Sequence, residues 1–205
     1  MKNGIHRIVE DGILWKEETY KDGKKHGISK WYYDDGSLSG EEFYKNGKRD
    51  GPYKYYHENG NISIEGFHED GEKRGHWKHY HDNGNVQSEG FINEEGKKEG
   101  LTKDYRTNGK LYREENWKVE YGMSYRHGVH REYYISGELS LEGEYYKDNQ
   151  DGGVYREYYK SGELSLEGEY WKNNKHGPCK TYHKNGQIKL FRIFEMGEII
   201  HSEEY

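Results

Sequence analysis

Glycine returns along this chain at an almost constant interval, and that interval restricts the fold more than any other feature. One series runs Gly12, Gly36, Gly60, Gly84, Gly109, Gly137, Gly162 and Gly186, with spacings of 24, 24, 24, 25, 28, 25 and 24. A second series, Gly27, Gly51, Gly75, Gly100, Gly128, Gly153 and Gly177, marks the start of each unit. A fixed period of this length means that one small supersecondary unit is stacked many times. The 205 residues parse as one repeat domain of about eight units: 3–26, 27–50, 51–74, 75–99, 100–127, 128–152, 153–176 and 177–205. The first and last depart from the pattern and read as caps.

Two neighbouring units are near copies. REYYISGELSLEGEYYKDN (Arg131 to Asn149) returns as REYYKSGELSLEGEYWKNN (Arg156 to Asn174) with three changes: Ile135 to Lys160, Tyr146 to Trp171 and Asp148 to Asn173. Columns across all units show what is required. Five residues after each starting glycine stands Tyr32, Tyr56, Tyr80, Tyr105, Tyr133, Tyr158 or Tyr182. Two after each inner glycine stands Leu14, Leu38, Ile62, Val86, Leu111, Leu139, Leu164 or Ile188. Five or six further on comes an aromatic: Tyr20, Tyr44 (or Phe43), Phe67, Phe91, Trp117, Tyr145, Tyr170 or Phe194.

Within YKYYHENGNISIEGF (Tyr53 to Phe67) the local signals are those of a β-hairpin. Asn59-Gly60 is a strong hairpin dipeptide, because both residues tolerate positive φ. Ile62 and Ile64 alternate with Ser63 and Glu65, which at period two puts both isoleucines on one face. Glycine turns such as Glu69-Asp70-Gly71 then join successive hairpins. The expected fold is all-β: a single elongated, twisted antiparallel meander or solenoid of about eight hairpins of ~24 residues.

Composition agrees. Alanine, the best helix former, is absent, while Gly numbers 28 and Pro only 2. Leu, Ile, Val and Phe total 31, which is meagre, but 22 Tyr and 5 Trp replace the missing apolar surface, and a net charge of -6 repels itself little. Stacked tyrosine columns are therefore expected to supply the core. The single Cys179 excludes an intrachain disulfide and reads as a small strand side chain. MKNGIHRIVEDG lacks the apolar run of a signal peptide, and no stretch approaches a membrane span, so the chain is expected to be soluble and cytoplasmic.

Candidate chemistry dissolves into the repeat. His76, His79 and His81 crowd together, but His57, His81 and His183 share a column with Tyr33, Tyr134, Tyr159 and Arg106, so that position reads as a half-exposed polar site and not a metal ligand. The carboxylate pairs Glu41-Glu42, Glu94-Glu95, Glu114-Glu115, Glu142 with Glu144 and Glu167 with Glu169 recur beside Lys and Arg, as on a solvated sheet face. They lack the contrasting environments that general acid–base work needs. Gly152-Gly153 reads as a repeat junction and not a phosphate loop. No catalytic residue, cofactor or metal is expected. Acids outnumber Lys plus Arg by 38 to 32 and are interspersed, so no nucleic acid is expected as partner. The small basic turns KDGKKHG and KNGKRDG are too small to anchor the chain to a membrane alone.

WYYDDGSLSGEEFYKNGKRDG (Trp31 to Gly51) resembles the bacterial variant of the MORN repeat. Its elements are an aromatic, a glycine turn, an aliphatic, an acidic–aromatic pair, then Asn-Gly-Lys and a glycine. The resemblance implies a non-catalytic binding module, and many such proteins are antitoxin or immunity components of toxin systems. A protein partner is therefore expected, and a basic toxin would suit the chain's mild acidity. Tyr, Trp and Arg are the residue types of interface hot spots. The candidate contacts are Trp77, Tyr80, Trp117, Tyr121 and Tyr125, in the middle units and the extra segment Glu115 to Gly128, which reads as a loop insertion or a recognition loop. The alternative is a self-associating scaffold with weak lipid contact.

Overall fold

The computed structural model describes residues 1–148 and 153–205, so Asn149 and Gly152 lie outside the described residues. Every described element is a β-strand, and every strand pairing is antiparallel. The chain divides after Lys97 into two compact units. In the first, β1 (Gly4–Glu10), β2 (Ile13–Lys21), β3 (Lys24–Tyr32), β4 (Leu38–Lys45), β5 (Lys48–Tyr56), β6 (Ile62–Glu69), β7 (Glu72–Tyr80) and β8 (Val86–Ile92) pair in chain order. In the second, β9 (Gly100–Tyr105), β10 (Leu111–Glu120), β11 (Met123–Tyr133), β12 (Leu139–Tyr145), β13 (Val154–Tyr158), β14 (Leu164–Trp171), β15 (Asn174–Tyr182), β16 (Ile188–Glu195) and β17 (Glu198–Glu204) do the same.

Two turn types alternate, and the structure exchanges the roles expected of them. At His57-Glu58-Asn59-Gly60 only the glycine has positive φ. Gly60 N donates to His57 O (2.9 Å) and His57 N to Asn61 O (2.8 Å), which is a type I turn closed by a left-handed glycine. The same pair of bonds recurs at Gly36, Gly84, Gly109, Gly137, Gly162 and Gly186. The two-residue turn with both φ positive is instead the link between hairpins, as at Asp22-Gly23, Asn46-Gly47 and Asp70-Gly71. Asp11-Gly12 is also of this second type, so Gly12 leaves the series to which its spacing assigned it.

A β-bulge follows each type I turn. Tyr56 pairs with Ile62, but its neighbour Tyr55 pairs with Ile64. Adjacent residues of a strand point to opposite faces, so Ile62 and Ile64 do too, against the expectation that they share one. The slip recurs at Tyr32, Tyr80, Tyr133, Tyr158 and Tyr182. The repeat therefore carries its bulge as part of the pattern.

The column of mixed identity turns out to be a latch. Tyr33 Oη donates to Tyr56 O (2.5 Å), Tyr134 Oη to Tyr158 O (2.6 Å) and Tyr159 Oη to Tyr182 O (2.6 Å). His57 Nε2 meets Tyr80 O at 3.1 Å, and Arg106 Nη2 donates to Tyr133 O at 2.9 Å. What this position requires is a long side chain ending in a donor, aimed at the next repeat's backbone. Tyr, His and Arg all meet that requirement.

The segment from Glu115 to Gly128, expected as an inserted loop, is strand and tight turn instead. It lengthens β10 and β11 and closes in the two-residue turn Tyr121-Gly122. Extending both strands of the hairpin keeps the pairing antiparallel on either side of it.

Candidate protein-binding face

On one face of the sheet, charge alternates strand by strand. In the first unit a single row across all eight strands reads Arg7, Glu17, Lys30, Glu41, Lys54, Glu65, Lys78, Glu89. In the second it reads Lys103, Glu114, Arg131, Glu142, Arg156, Glu167, Lys180. Directly opposed unlike charges stabilise a sheet modestly. The closest pairs are Arg7–Glu17 (2.7 Å), Arg131–Glu142 (2.7 Å), Arg156–Glu167 (3.1 Å) and Lys78–Glu89 (3.2 Å). The conserved tyrosine column lies on this face and braces the row. Tyr32 donates to Glu17 (2.9 Å), Tyr80 to Glu65 (2.5 Å) and Tyr133 to Glu114 (2.8 Å). Burial, then the carboxylate bond, pushes the phenols of Tyr80 and Tyr133 up to about 12.

The tyrosine column is thus half-buried bracing and not the core. Most of the buried residues sit on the opposite face and are largely polar: Glu18, Ser29, Glu42, Tyr53 and His68 in the first unit, Thr102, Glu115, His130, Cys179 and Phe194 in the second. So the two members of a carboxylate pair part company. Glu41 joins the exposed row, whereas Glu42, 1% exposed, accepts from Arg49 Nε (2.8 Å), Tyr44 Oη (2.8 Å) and Tyr55 Oη. Burial would raise Glu42, and these three donors hold it below the usual carboxylate range. Glu18 is carried to about 2, with burial outweighed by Lys16, Lys25 and Tyr20. Lys25 and Arg49, two of the basic-turn residues, are therefore internal counter-ions. Size is traded across the same row: Gly66 opposes Tyr53, Gly90 opposes Trp77, and Gly168 opposes Cys179.

Beside the charge row, towards the two-residue turns, the first unit carries an apolar row: Ile28, Phe43, Pro52, Phe67, His76 and Phe91. Phe43 is 39% exposed, Phe67 43% and Phe91 36%, which is unusual for contiguous large apolar groups. His76 lies edge-on to Phe91 at 5.2 Å. The sequence holds the signal for this row. The aromatic follows the aliphatic by five residues in these three repeats and by six in the others. Five and six are opposite faces. The six-offset members, such as Tyr20, Tyr145, Tyr170 and Phe194, lie on the buried-carboxylate face, where Tyr44 also stands.

The five candidate contacts do not form one patch. In the first unit, Trp77 lies on the buried-carboxylate face with its ring 5.1 Å from His79, while Tyr80 is engaged on the charged face. In the second, Trp117 donates Nε1 to Thr102 Oγ1 (3.0 Å), and Tyr125 is buried. Tyr121 alone projects freely, 94% exposed at the tip of the lengthened hairpin with φ 51. The three crowded histidines separate likewise: His76 stands on the charged face, His79 on the other, and His81 opens a turn. Among the described residues no group of three His, Cys, Asp or Glu could hold a metal ion.

No curated protein matches the chain. Similar solved structures include that of TcdB2-TccC3-Cdc42 (12% identity, TM-score 0.22, covering 93% of this chain and 13% of that one) and that of TcdB2-TccC3 (13%, 0.24, 93% and 14%). Another is a porin-like protein from Bacteroides uniformis ATCC 8492 (10%, 0.23, 97% and 92%). The chain thus spans a small part of the first two. The model of the MORN repeat variant family matches residues 25–46, 49–71, 73–94, 98–118, 151–172 and 175–190, more than half of the sequence. The turns, bulges and latches described above repeat on the frame of those segments, and the chain belongs to the MORN repeat variant family.

Proposed function

We propose that this chain is a non-catalytic protein-binding module whose partner docks on the charged face of the first unit, across the row Phe43, Phe67 and Phe91. One observation carries the reading: three phenylalanines stand exposed in one row beside the alternating charges. Buried on binding, such a row supplies the apolar centre of an interface, and the flanking alternating charges set its register. An antitoxin or immunity-type role, neutralising a toxin, is the specific form of this reading that the family resemblance suggests. Capture of partners from native cells, with mass spectrometry, tests it. A stoichiometric protein that is toxic when expressed alone and is lost from the Phe67→Glu variant supports the proposal. A toxin captured equally well by that variant places its contact elsewhere and sinks the Phe-row reading.

A second reading, self-association, is favoured by the terminal strands. Every residue of β17 is exposed, including Ile199 and Ile200, and β1 exposes Ile5 and Val9. Edge strands of this kind pair readily with another chain. A concentration-independent monomer in sedimentation would end that reading.

A further inference from the structure

The type I turns of the first unit line a second surface, separated from the Phe row by the charge row. A cavity of about 590 Å³ opens there, walled by Trp15, Tyr32 and Tyr33 and by the carboxylates of Asp34, Asp35 and Glu58. Among the described residues no basic side chain lines it. A second cavity, with His57 and Asp82, shares Tyr33 and Glu58 with the first, so the two form one groove along successive turns. Trp15 is the unusual member. Three residues past the glycine, the other repeats carry Ser39, Ser63, Gln87, Tyr112, Ser140, Ser165 and Lys189. Trp15 is 47% exposed, and none of the described residues places a cation on its ring. Asp35 is already occupied, accepting from Ser37 N (2.8 Å) and Oγ (2.6 Å), which keeps it charged. His57, which lines the second cavity, is held by Tyr80 O (3.1 Å) and Asp82 (3.1 Å), and the Lys16 ammonium lies 5.2 Å from the ring of Trp31, another wall of the first. Asp34 and Glu58 remain, at the same turn position of successive repeats.

An indole face flanked by carboxylates is a receptor for a guanidinium or ammonium group. Successive turns are two strands apart, about 9.6 Å. An extended peptide advances about 10 Å in three residues. We infer that this groove binds an extended peptide segment carrying basic side chains three residues apart, with one basic group seated against Trp15 between Asp34 and Glu58. The inference concerns a different surface from the Phe row and stands if that row binds nothing.

The probe is a fluorescein-labelled Arg-Gly-Gly-Arg-Gly-Gly-Arg peptide, titrated with the full chain and followed by fluorescence anisotropy at low salt. Saturable binding is expected. It should weaken at least tenfold in Trp15→Ser and in Glu58→Gln, and persist in Phe67→Glu. Peptides with arginines two or four residues apart should bind several-fold more weakly. Trp15→Ser installs the residue of four other repeats, and a circular dichroism melt checks its folding. Should it misfold, Glu58→Gln decides. Absence of saturable binding, or equal binding by both folded variants, overturns the inference. Equal binding of all three spacings, or displacement by spermine at equal charge, also overturns it, because the groove would then be a diffuse cation site.

Discussion

The two units share a scaffold and differ in what they display on it. Both carry the turn, the bulge, the latch and the alternating charge row. The neighbouring row separates them: Ile28, Phe43, Pro52, Phe67, His76 and Phe91 in the first unit, but Leu101, Asn116, Val129, Glu144, Val154, Glu169, Pro178 and Ile193, without a phenylalanine, in the second. The turn edge differs too. Where the first unit has Asp34, Glu58 and Asp82, the second has Thr107, Ile135, Lys160 and Lys184. The near-identical copies belong to the second unit, and their described differences fall on exposed residues at turns and strand ends, Ile135, Tyr146 and Trp171 among them. The repeat thus holds its internal bonds constant and varies one surface row and one turn position.

The buried face differs as well, and the largest expected effect tests it. Glu42 accepts three bonds of 2.8 Å or less, whereas Glu115 meets Arg113, Arg126 and His130 only at 3.7–3.8 Å. Glu42→Ala leaves Arg49 and two phenols without their acceptor and should cost about 3–5 kcal/mol in denaturant unfolding. Glu115→Ala should cost clearly less, and Glu41→Ala, on the exposed row, no more than about 1 kcal/mol. Equal losses for Glu42 and Glu41 would refute the assignment of the two faces. Acid sharpens the same point. Glu18 lies at about 2 against an ordinary 4.5, so its contribution is complete above 4.5 and is lost as pH falls towards 2. Burial lowers His68 and His130 below 6.5, so the folded chain holds them neutral and loses stability as pH drops below that value. Melting temperature should therefore decline in two stages from pH 7 to 3. A flat profile between 7 and 5 would count against the buried histidines.

The display rows are tested by exchange. Phe67→Glu with Phe91→Glu gives the first unit the chemistry of Glu144 and Glu169. Partner affinity should fall on the order of 100-fold, a hot-spot loss, while unfolding shifts by less than about 0.5 kcal/mol. If unfolding shifts by several kcal/mol instead, the row is structural and the comparison fails.

Packing gives a smaller contrast. A Cβ on Gly66 would stand 2.6 Å from Tyr53 Oη, against 3.2 Å from Cys179 Sγ for Gly168. Tyr53 is buried and has little room to yield, so Gly66→Ala should cost about 1–3 kcal/mol. Gly168→Ala should cost less, and thermal melts of the two variants rank them.

The strand order, the hairpins and the family were legible in the sequence because period and turn residues are local signals. Three things were not. The bulge at Tyr55/Tyr56 moves Ile62 across the sheet without altering the alternation that suggested a shared face. The split of Glu41 from Glu42 follows from register, which pairs one with Lys54 and the other with Tyr53. The Phe row was hidden by merging offsets of five and six into one column, although a single-residue offset decides the face. Hot-spot composition selected Trp77 and Tyr125, but register and burial had already committed both to the scaffold.

The latch supplies the smallest effect and the strictest control. Tyr33→Phe and Tyr134→Phe each remove one donor, to Tyr56 O at 2.5 Å and to Tyr158 O at 2.6 Å. Each should cost about 1 kcal/mol, the net value of one hydrogen bond plus an unmet carbonyl. The two costs should agree, because the comparison assigns the latch to the shared scaffold. His57→Tyr should be nearly neutral, since the new phenol can donate to Tyr80 O as His57 does at 3.1 Å. If the Tyr33 and Tyr134 losses differ by more than about 0.5 kcal/mol, the latch belongs to what varies between the units. The exchange of Phe67 and Phe91 would then no longer isolate the display row, because the frame beneath it would differ as well.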